Sequence, residues 1–384
     1  MINIGIIGTG AISRIHIDSY KKFSDKCSVV AICDTVKEKA ELLCEEKGLD
    51  AKIYTDVNKM LEDETIDAIS ICLPPSLHSK FTILSLDAKK HVLCEKPMAT
   101  SIEECDLMVD AVSRNKKILS IVSQNRYKDE ITKVKQILDS GKLGKIHFAN
   151  FNSLWWRSDI YYHLKYRGTW QSDNGGCTMN HSIHYIDLMI MLFGKPKSVR
   201  AYFNNLNHKN SECEDISIAI FEYEDKVITF NSSLLSHGEK QSITIDGENA
   251  GISIPWNVNA SKTLANGFPL DDEEKAKEIN DLYNSLDNLK YKEHDAQILH
   301  FLNAIENPAN EYISQDDGKN TIEVVMALYK AAQEETRVNF PIEKDDPYYK
   351  KETMIGKMTR FNEKEIFLDS LPNIEISLGR DFSK

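Results

Sequence analysis

Gly8-Thr9-Gly10-Ala11-Ile12-Ser13 follows the apolar run Ile2 to Ile7 and opens a segment of helical period. A turn of this kind suits a dinucleotide. Glycine at 8 permits a tight bend, and glycine at 10 lets backbone amides approach a pyrophosphate at the positive end of the helix. Ser13 stands where a third glycine is usual, and a small residue there still allows close helix–strand packing. Gly8, Thr9, Gly10, Ala11 and Ile12 are thus candidate cofactor contacts, against the alternative of an ordinary strand-to-helix turn. Asp34 ends the second strand about 20 residues further on, the distance at which a carboxylate accepts from an adenosine ribose. Its charge repels a 2′-phosphate, so NAD is expected over NADP, although Lys37 nearby keeps NADP open and Asp34 could instead cap the next helix.

Leu73-Pro74-Pro75-Ser76-Leu77-His78 follows another strand, and two prolines force the chain out of the sheet there. Leu73, Pro74 and His78 are expected beside the cofactor, with His78 structural or cofactor-contacting rather than catalytic. Cys94-Glu95-Lys96-Pro97 closes a further strand, on the edge where open parallel sheets bind ligands. A lysine fixed between an acid and a proline can hydrogen-bond a substrate hydroxyl and stabilise developing alkoxide; the plain alternative is a surface pair with Glu95. Glu95, Lys96 and Asn125 complete the candidate cofactor set, and Lys96 is also the first catalytic candidate.

The second catalytic candidate lies in Gly175-Gly176-Cys177-Thr178-Met179-Asn180-His181-Ser182-Ile183-His184-Tyr185-Ile186-Asp187, which runs on into an almost wholly apolar stretch ending at Phe193. At 3.6 residues per turn Asn180, His184 and Asp187 share an arc of roughly 60°. A polar stripe on an otherwise buried helix must face a polar cleft or itself. A lone histidine in such a helix is commonly a satisfied core residue; with Asn180 one turn before it and Asp187 placed to orient it, His184 reads as catalytic. His181 and His184, even with His163, lack a third or fourth ligand of clear spacing, so no metal is expected. Gly144-Lys145 fails as a phosphate loop because Ile146 stands where Ser or Thr is required and Asp139 where the earlier glycine belongs.

Substrate contacts are sought in Arg126 and Tyr127, and in Trp156, Arg157, Tyr161, Tyr162, His163 and Trp170 before the catalytic helix, with Asn180 beside them. Aromatic faces and hydrogen-bonding groups together suit a carbohydrate; each aromatic could equally be core or interface.

The elements that must hold these groups follow from periodicity. Short β-branched runs at 2–7, 28–33, 68–73, 91–94 and 118–122 alternate with helical segments at 11–23, 36–47, 76–89 and 102–116, the rhythm of a doubly wound parallel sheet. A helix over 129–140 then leads to a strand over 146–154, a helix from Cys177 ending at Gly194, and strands at 198–202, 216–223, 226–235 and 241–246. Consecutive strands behind a helix predict an α+β second domain with a mostly antiparallel sheet. Residues 257–290 read as polar and irregular, 321–335 as an amphipathic helix before 338–342, and 343–384 as a tail packing on a partner subunit. The expected division is 1–123, 124–342 and 343–384.

The chain has 384 residues, 41% hydrophobic and 28% charged, the balance of an ordinary globular protein. A net charge of -12 opposes a broad nucleic-acid surface. Eight cysteines form no CxxC pair, which suits a reducing cytoplasm. The opening MINIGIIGTG has no basic region and is not expected to be a secretory signal, and no apolar run reaches the roughly 18 residues of a membrane span.

The GxGxxS turn, Glu-Lys-Pro at 95–97 and Gly-Gly-x(7)-His-x-x-Asp at 175–187 together resemble the glucose-fructose oxidoreductase, inositol dehydrogenase and MocA family, over residues 1 to about 342. The resemblance implies an N-terminal Rossmann domain, a C-terminal domain with a large open sheet used for dimer or tetramer contacts, a catalytic Lys96 and His184, and a sugar, cyclic polyol or glycoside oxidised at a ring hydroxyl such as C3. It also admits a glycosidase that retains NAD and works through transient oxidation and elimination, and a non-catalytic NAD-binding regulator. Members usually carry aspartate or a similar polar residue four positions before the histidine; here it is Asn180, which cannot accept a proton and so is assigned to substrate binding and orientation.

Overall fold

A computed structural model describes residues 1–368. They divide into two compact units, residues 1–128 with 290–322, and residues 129–289 with those from 323 onward.

The first unit opens with β1 (Ile2–Ile7), α1 (Ala11–Lys21), β2 (Cys27–Cys33), α2 (Lys37–Lys47), β3 (Lys52–Tyr54), α3 (Val57–Leu61), β4 (Ala68–Ile71), α4 (His78–Asp87), β5 (His91–Cys94), α5 (Ile102–Asn115) and β6 (Leu119–Ile121). The six strands are parallel in the order β3-β2-β1-β4-β5-β6. Chain order reverses between β1 and β4, and the carboxyl ends of strands at such a point form the ligand crevice of doubly wound folds. This is the expected Rossmann architecture. Strand positions such as Ile4, Ile6, Ile69 and Leu93 are completely buried because helices cover both faces.

The second unit begins with α6 (Asp129–Asp139), β7 (Ile146–Leu154) and α7 (Ile183–Phe193), the last preceded by a π-helical turn over Thr178–Ser182. Then come β8 (Ser198–Asn204), β9 (Ile216–Glu222), β10 (Val227–Ser233), β11 (Gln241–Gly247), β12 (Gly251–Ile254), β13 (Asn257–Asn259), β14 (Ser261–Thr263), β15 (Pro269–Asp271) and α8 (Glu273–Ser285). Residues 257–290, expected to be irregular, therefore hold three short strands and a helix. α9 (Glu293–Glu306) returns to the first unit, followed by α10 (Gln315–Gln333), β16 (Val338–Asn339) and α11 (Lys351–Lys357). α10 starts earlier than the expected residue 321.

Eight strands form the second sheet in the order β13-β12-β11-β7-β10-β9-β8-β16, antiparallel except for the parallel pair β7–β10. Its inner face carries Phe151, Val199, Ala219, Phe221, Ile228 and Phe230, all at most 1% exposed, and Tyr185 and Phe193 of α7 meet Phe151 edge-on at ring distances of 6.4 and 6.2 Å. Gly194, at φ 76°, ends α7 as the sequence led one to expect.

The segment after 342 packs on its own unit. Phe361 stacks edge-on against Phe203, the Lys364 ammonium donates to the Tyr162 carbonyl, and the Ile366 amide donates to Asn210 at 2.9 Å. The rest of the expected tail, 369–384, lies outside the described residues.

Candidate active site

In the first unit, α1 starts at Gly10 with no side chain capping its amides. A Cβ at Gly10 would meet nothing within 4 Å, whereas one at Gly8, where φ is 97°, would strike the Cys72 carbonyl oxygen at 2.4 Å. An uncapped helix N-terminus beneath open space is the cradle a pyrophosphate requires, so the turn fits a dinucleotide. Ser13 is fully buried and its hydroxyl donates to the Gly10 carbonyl at 2.6 Å, which keeps the turn tight in place of a third glycine. Asp34 Oδ2 accepts from the amide and hydroxyl of Thr9, at 3.1 and 2.6 Å, and Oδ1 from the Val36 amide at 3.0 Å. The carboxylate is thus held at the end of β2 with lone pairs remaining for a ribose. It does not cap α2, whose N-cap is Val36.

His78 is completely buried, and its two ring nitrogens meet the carbonyl oxygens of Pro97 and Leu73 at 2.6 and 2.8 Å. Two acceptors require two donors, which only the imidazolium supplies. Burial opposes that charge, but the Cys94 thiol and the two carbonyls outweigh it and push the pKa up to about 9. His78 therefore pins the Leu73-Pro74 corner to the Lys96-Pro97 corner, a structural role.

Glu95 is 6% exposed. Its Oε1 lies 2.9 Å from His16 Nε2 and 3.8 Å from His294 Nε2, and its Oε2 accepts from the Lys96 amide at 3.2 Å. Burial works against the carboxylate, yet His16 holds its pKa down at about 2. The acid beside Lys96 is therefore directed inward onto a histidine, not outward as a surface partner. Further along, the Arg126 guanidinium pairs with Asp317 at 3.0 Å and the Tyr127 ring lies 4.9 Å from the His300 ring; Asn125 shares their short 3-10 turn, Gln124–Tyr127.

In the second unit the run from Asp173 to Met189 is buried except at Asn180, His181 and His184. Because Thr178–Ser182 winds as a π turn, the 3.6-residue geometry does not hold there, and the open stripe is these three residues rather than Asn180, His184 and Asp187. Asp187 is only 3% exposed. His181 faces two aromatics, with ring distances of 5.6 Å to Tyr161 and 6.1 Å to Trp155.

The turn is fixed from below. Buried Glu214 accepts from the Gly176 amide at 2.9 Å, the Thr178 amide at 3.0 Å and the Tyr329 hydroxyl at 3.0 Å. A Cβ at Gly176 would sit 1.7 Å from the Glu214 carbonyl oxygen, and one at Gly175, where φ is 141°, 2.0 Å from the Tyr329 hydroxyl. The paired glycines are thus required by packing. Asn180 donates to the Gly175 and Gly176 carbonyls at 2.8 and 3.3 Å and accepts from Arg167 at 3.1 Å. An aspartate could accept from Arg167 but could not donate to the carbonyls, which accounts for asparagine at this position.

The Arg157 guanidinium lies over the Trp155 and Tyr161 rings, 5.4 and 5.9 Å from their centroids, and Arg167 lies 5.1 Å from Tyr161 while pairing with Asp173 at 3.0 Å. Trp155 and Arg167 escaped the sequence reading. Trp156 is 43% exposed and stacked on His237. The parity of β7 marks the difference, since 149, 151 and 153 face inward and 155 continues that face. Trp170 was expected at the substrate; it is fully buried, packed on Tyr329, with its indole N–H donating to the Thr359 carbonyl at 3.0 Å, and so belongs to the core. Tyr162 is buried likewise, and His163 lies 3.3 Å from Asp159.

Residues 2–123 match the model of an oxidoreductase family with an NAD-binding Rossmann fold, and residues 131–253 match that family's C-terminal domain, GFO/IDH/MocA. The chain belongs to the GFO/IDH/MocA oxidoreductase family and carries its NAD-binding Rossmann domain. Among curated relatives it is 29% identical over 194 residues to a myo-inositol 2-dehydrogenase of Thermotoga maritima, a match covering 50% of this chain and 55% of that one. It is 25% identical over 226 residues to an inositol 2-dehydrogenase of Salmonella typhimurium, covering 58% of this chain and 63% of the relative, so less than two thirds of either relative is spanned. Among solved structures, the WlbA dehydrogenase of Bordetella pertussis in complex with NADH and UDP-GlcNAcA is 28% identical, with a TM-score of 0.76 over 89% of this chain and 98% of that one. Levoglucosan dehydrogenase in complex with NADH shares the fold, with a TM-score of 0.76 at 19% identity.

Proposed function

We propose that this protein is an NAD-dependent dehydrogenase acting on a ring secondary alcohol of a sugar or cyclic polyol. The observation that carries the reading is the exposure of His184 in a helix otherwise buried around it, together with a Rossmann turn whose helix N-terminus is left open. Gly8 to Ile12 cradle the pyrophosphate, Asp34 accepts from the ribose, and Leu73, Pro74, Glu95 and Asn125 border the nucleotide. When bound, the nicotinamide supplies the hydride acceptor. His184 takes the proton from the substrate hydroxyl as general base, a role common for histidine. The Lys96 ammonium hydrogen-bonds the same oxygen and stabilises its developing charge. Arg157, Tyr161 and Trp155 contribute a cationic and aromatic surface to the sugar ring, while Asn180 orients the turn that carries His184.

The inositol dehydrogenases and the nucleotide-sugar complex among its relatives share a ring bearing secondary hydroxyls, which supports this substrate class; the C3 hydroxyl is the position we favour. Asp34 favours NAD over NADP. Eight buried free cysteines suit a reducing cytoplasm, and no helix among the described residues is long and apolar enough to cross a membrane.

The test is a panel of free sugars, inositols, sugar nucleotides and aryl glycosides, read by formation of NADH. Lys96→Ala and His184→Ala should each lower turnover on the best substrate by about a hundredfold or more while leaving the fold intact. Full activity in both variants would overturn the assignment of roles. Release of an aglycone without net NADH would replace this reading with a redox glycosidase.

A further inference from the structure

Behind the strand end that carries Lys96, the first unit encloses His16 of α1, Glu95 at the end of β5 and His294 of α9. One ligand atom from each residue, a ring nitrogen of each histidine and a Glu95 carboxylate oxygen, lies within 4.8 Å of the others. None of the functions derived above uses His294. Its Nε2 is sealed from solvent and has no hydrogen-bond partner among the described residues, although a carboxylate oxygen lies 3.8 Å away.

That distance is informative. It is too long for a hydrogen bond. It is also too short for a bridging water, because two hydrogen bonds of about 2.8 Å meeting at a tetrahedral angle span roughly 4.6 Å. A metal ion with bonds of about 2.1 Å holds its ligand atoms roughly 3.0 to 3.8 Å apart, depending on the angle between them. The His294–Glu95 separation of 3.8 Å falls at the upper end of that range, and the His16–Glu95 separation of 2.9 Å lies just under its lower end. An unsatisfied buried ring nitrogen is destabilising, and an ion bound to it would remove that cost.

We propose that His16, Glu95 and His294 form a binding site for a divalent transition-metal ion such as zinc, with one or more coordination positions left for water. Two imidazoles and one carboxylate suit zinc, iron or cobalt and disfavour magnesium and calcium, which take oxygen ligands. His16 gives up the proton it shares with Glu95 when it becomes a ligand, so binding releases a proton. Its other nitrogen, Nδ1, lies 3.3 Å from the Ser70 hydroxyl, which itself lies 2.7 Å from the Tyr20 hydroxyl, an arrangement that fixes the ring as outer partners of metal-bound histidines do. The positive charge of Lys96 opposes the ion and the negative charge of the Glu95 carboxylate favours it. The ion would hold Glu95, and through it the backbone of Lys96, in place.

The experiment uses the full chain, freed of metal with a chelator and dialysed. Cobalt(II) is titrated in and followed by its visible absorption, with zinc as competitor. One equivalent of cobalt should bind, zinc should displace it, and His294→Ala should weaken the uptake by at least about a hundredfold, more than the 10- to 100-fold typical of losing an outer partner. Zinc should raise the melting temperature of the wild type and leave that of His294→Ala unchanged. Equal melting curves for the two proteins in chelator establish that the variant is folded; a variant that melts early is replaced by His294→Gln in the same titration. Absence of saturable uptake by the wild type, or equal uptake by the folded variant, would overturn the proposal.

Discussion

His78 does its work through a charge that only a particular proton count allows. With both nitrogens donating to carbonyls, the ring must be protonated in the fold, and its pKa stands near 9 against about 6.5 in an unfolded chain. A pKa raised by folding contributes stability that is complete below about pH 6.5 and is lost as the pH climbs through about 9, a contribution on the order of 3 kcal/mol. Urea denaturation of wild type and His78→Gln at about pH 6 and pH 10 isolates it. The difference in stability between the two proteins should shrink as the pH rises, and a constant difference would show that the ring is neutral. In the sequence His78 reads as structural or cofactor-contacting rather than catalytic, at a corner that the two prolines before it announce. Its second partner, the Pro97 carbonyl 19 residues away, has no signature in local spacing. Asn180 tells the same story: its departure from the usual aspartate was plain, but the reason for it, donation to two glycine carbonyls, is a matter of backbone geometry.

Elements were legible where one period governed them over many residues. The parallel strands and their helices follow the alternation of apolar runs closely, because burial on both faces leaves few alternatives. The π turn was not legible, since a helix pattern read at 3.6 residues per turn cannot register one that is locally wider, and the stripe of polar residues was therefore rotated onto Asp187. α8 was missed because Ile279 is its only buried residue, too little to mark a face. Packing around the π turn makes a sharp prediction. The methyl group of Gly176→Ala has to displace the Glu214 backbone, and the loss of stability should be about 3 kcal/mol or more by chemical denaturation. Gly356→Ala, where a Cβ meets nothing within 4 Å and the backbone is helical, serves as the comparison, with a change expected to stay within about 1 kcal/mol. Equal losses for the two would show that the close approach of residues 176 and 214 does not matter.

At the scale of the molecule, the outer face of the second sheet stands out. Phe148, Tyr202, Ile218, Ile220 and Val227 project from β7, β8, β9 and β10 with exposures of 37 to 54%, and Tyr202 and Ile218 are direct cross-strand neighbours. Alternation alone would make such a face polar, and a contiguous apolar patch of this kind marks an interaction surface. A second copy of the chain is the occupant we propose, in keeping with the assembly that the family resemblance implies. Ile218→Glu with Ile220→Glu should lower the mass measured by light scattering to that of one chain; an unchanged mass would place any assembly contact elsewhere. A further consequence lies in the order of the chain. The core of the nucleotide-binding unit includes Ile298, Phe301 and Leu302 of α9, packed with Ile4, Ile17 and Tyr20 near the N-terminus, and Gln297 completes hydrogen bonds to Ser120 and Ser123. The half that leaves the ribosome first is thus finished only after residues 129–289 of the other half have emerged. A gene cut at residue 123, where the family's first domain model stops, would encode a fragment with an open apolar wound.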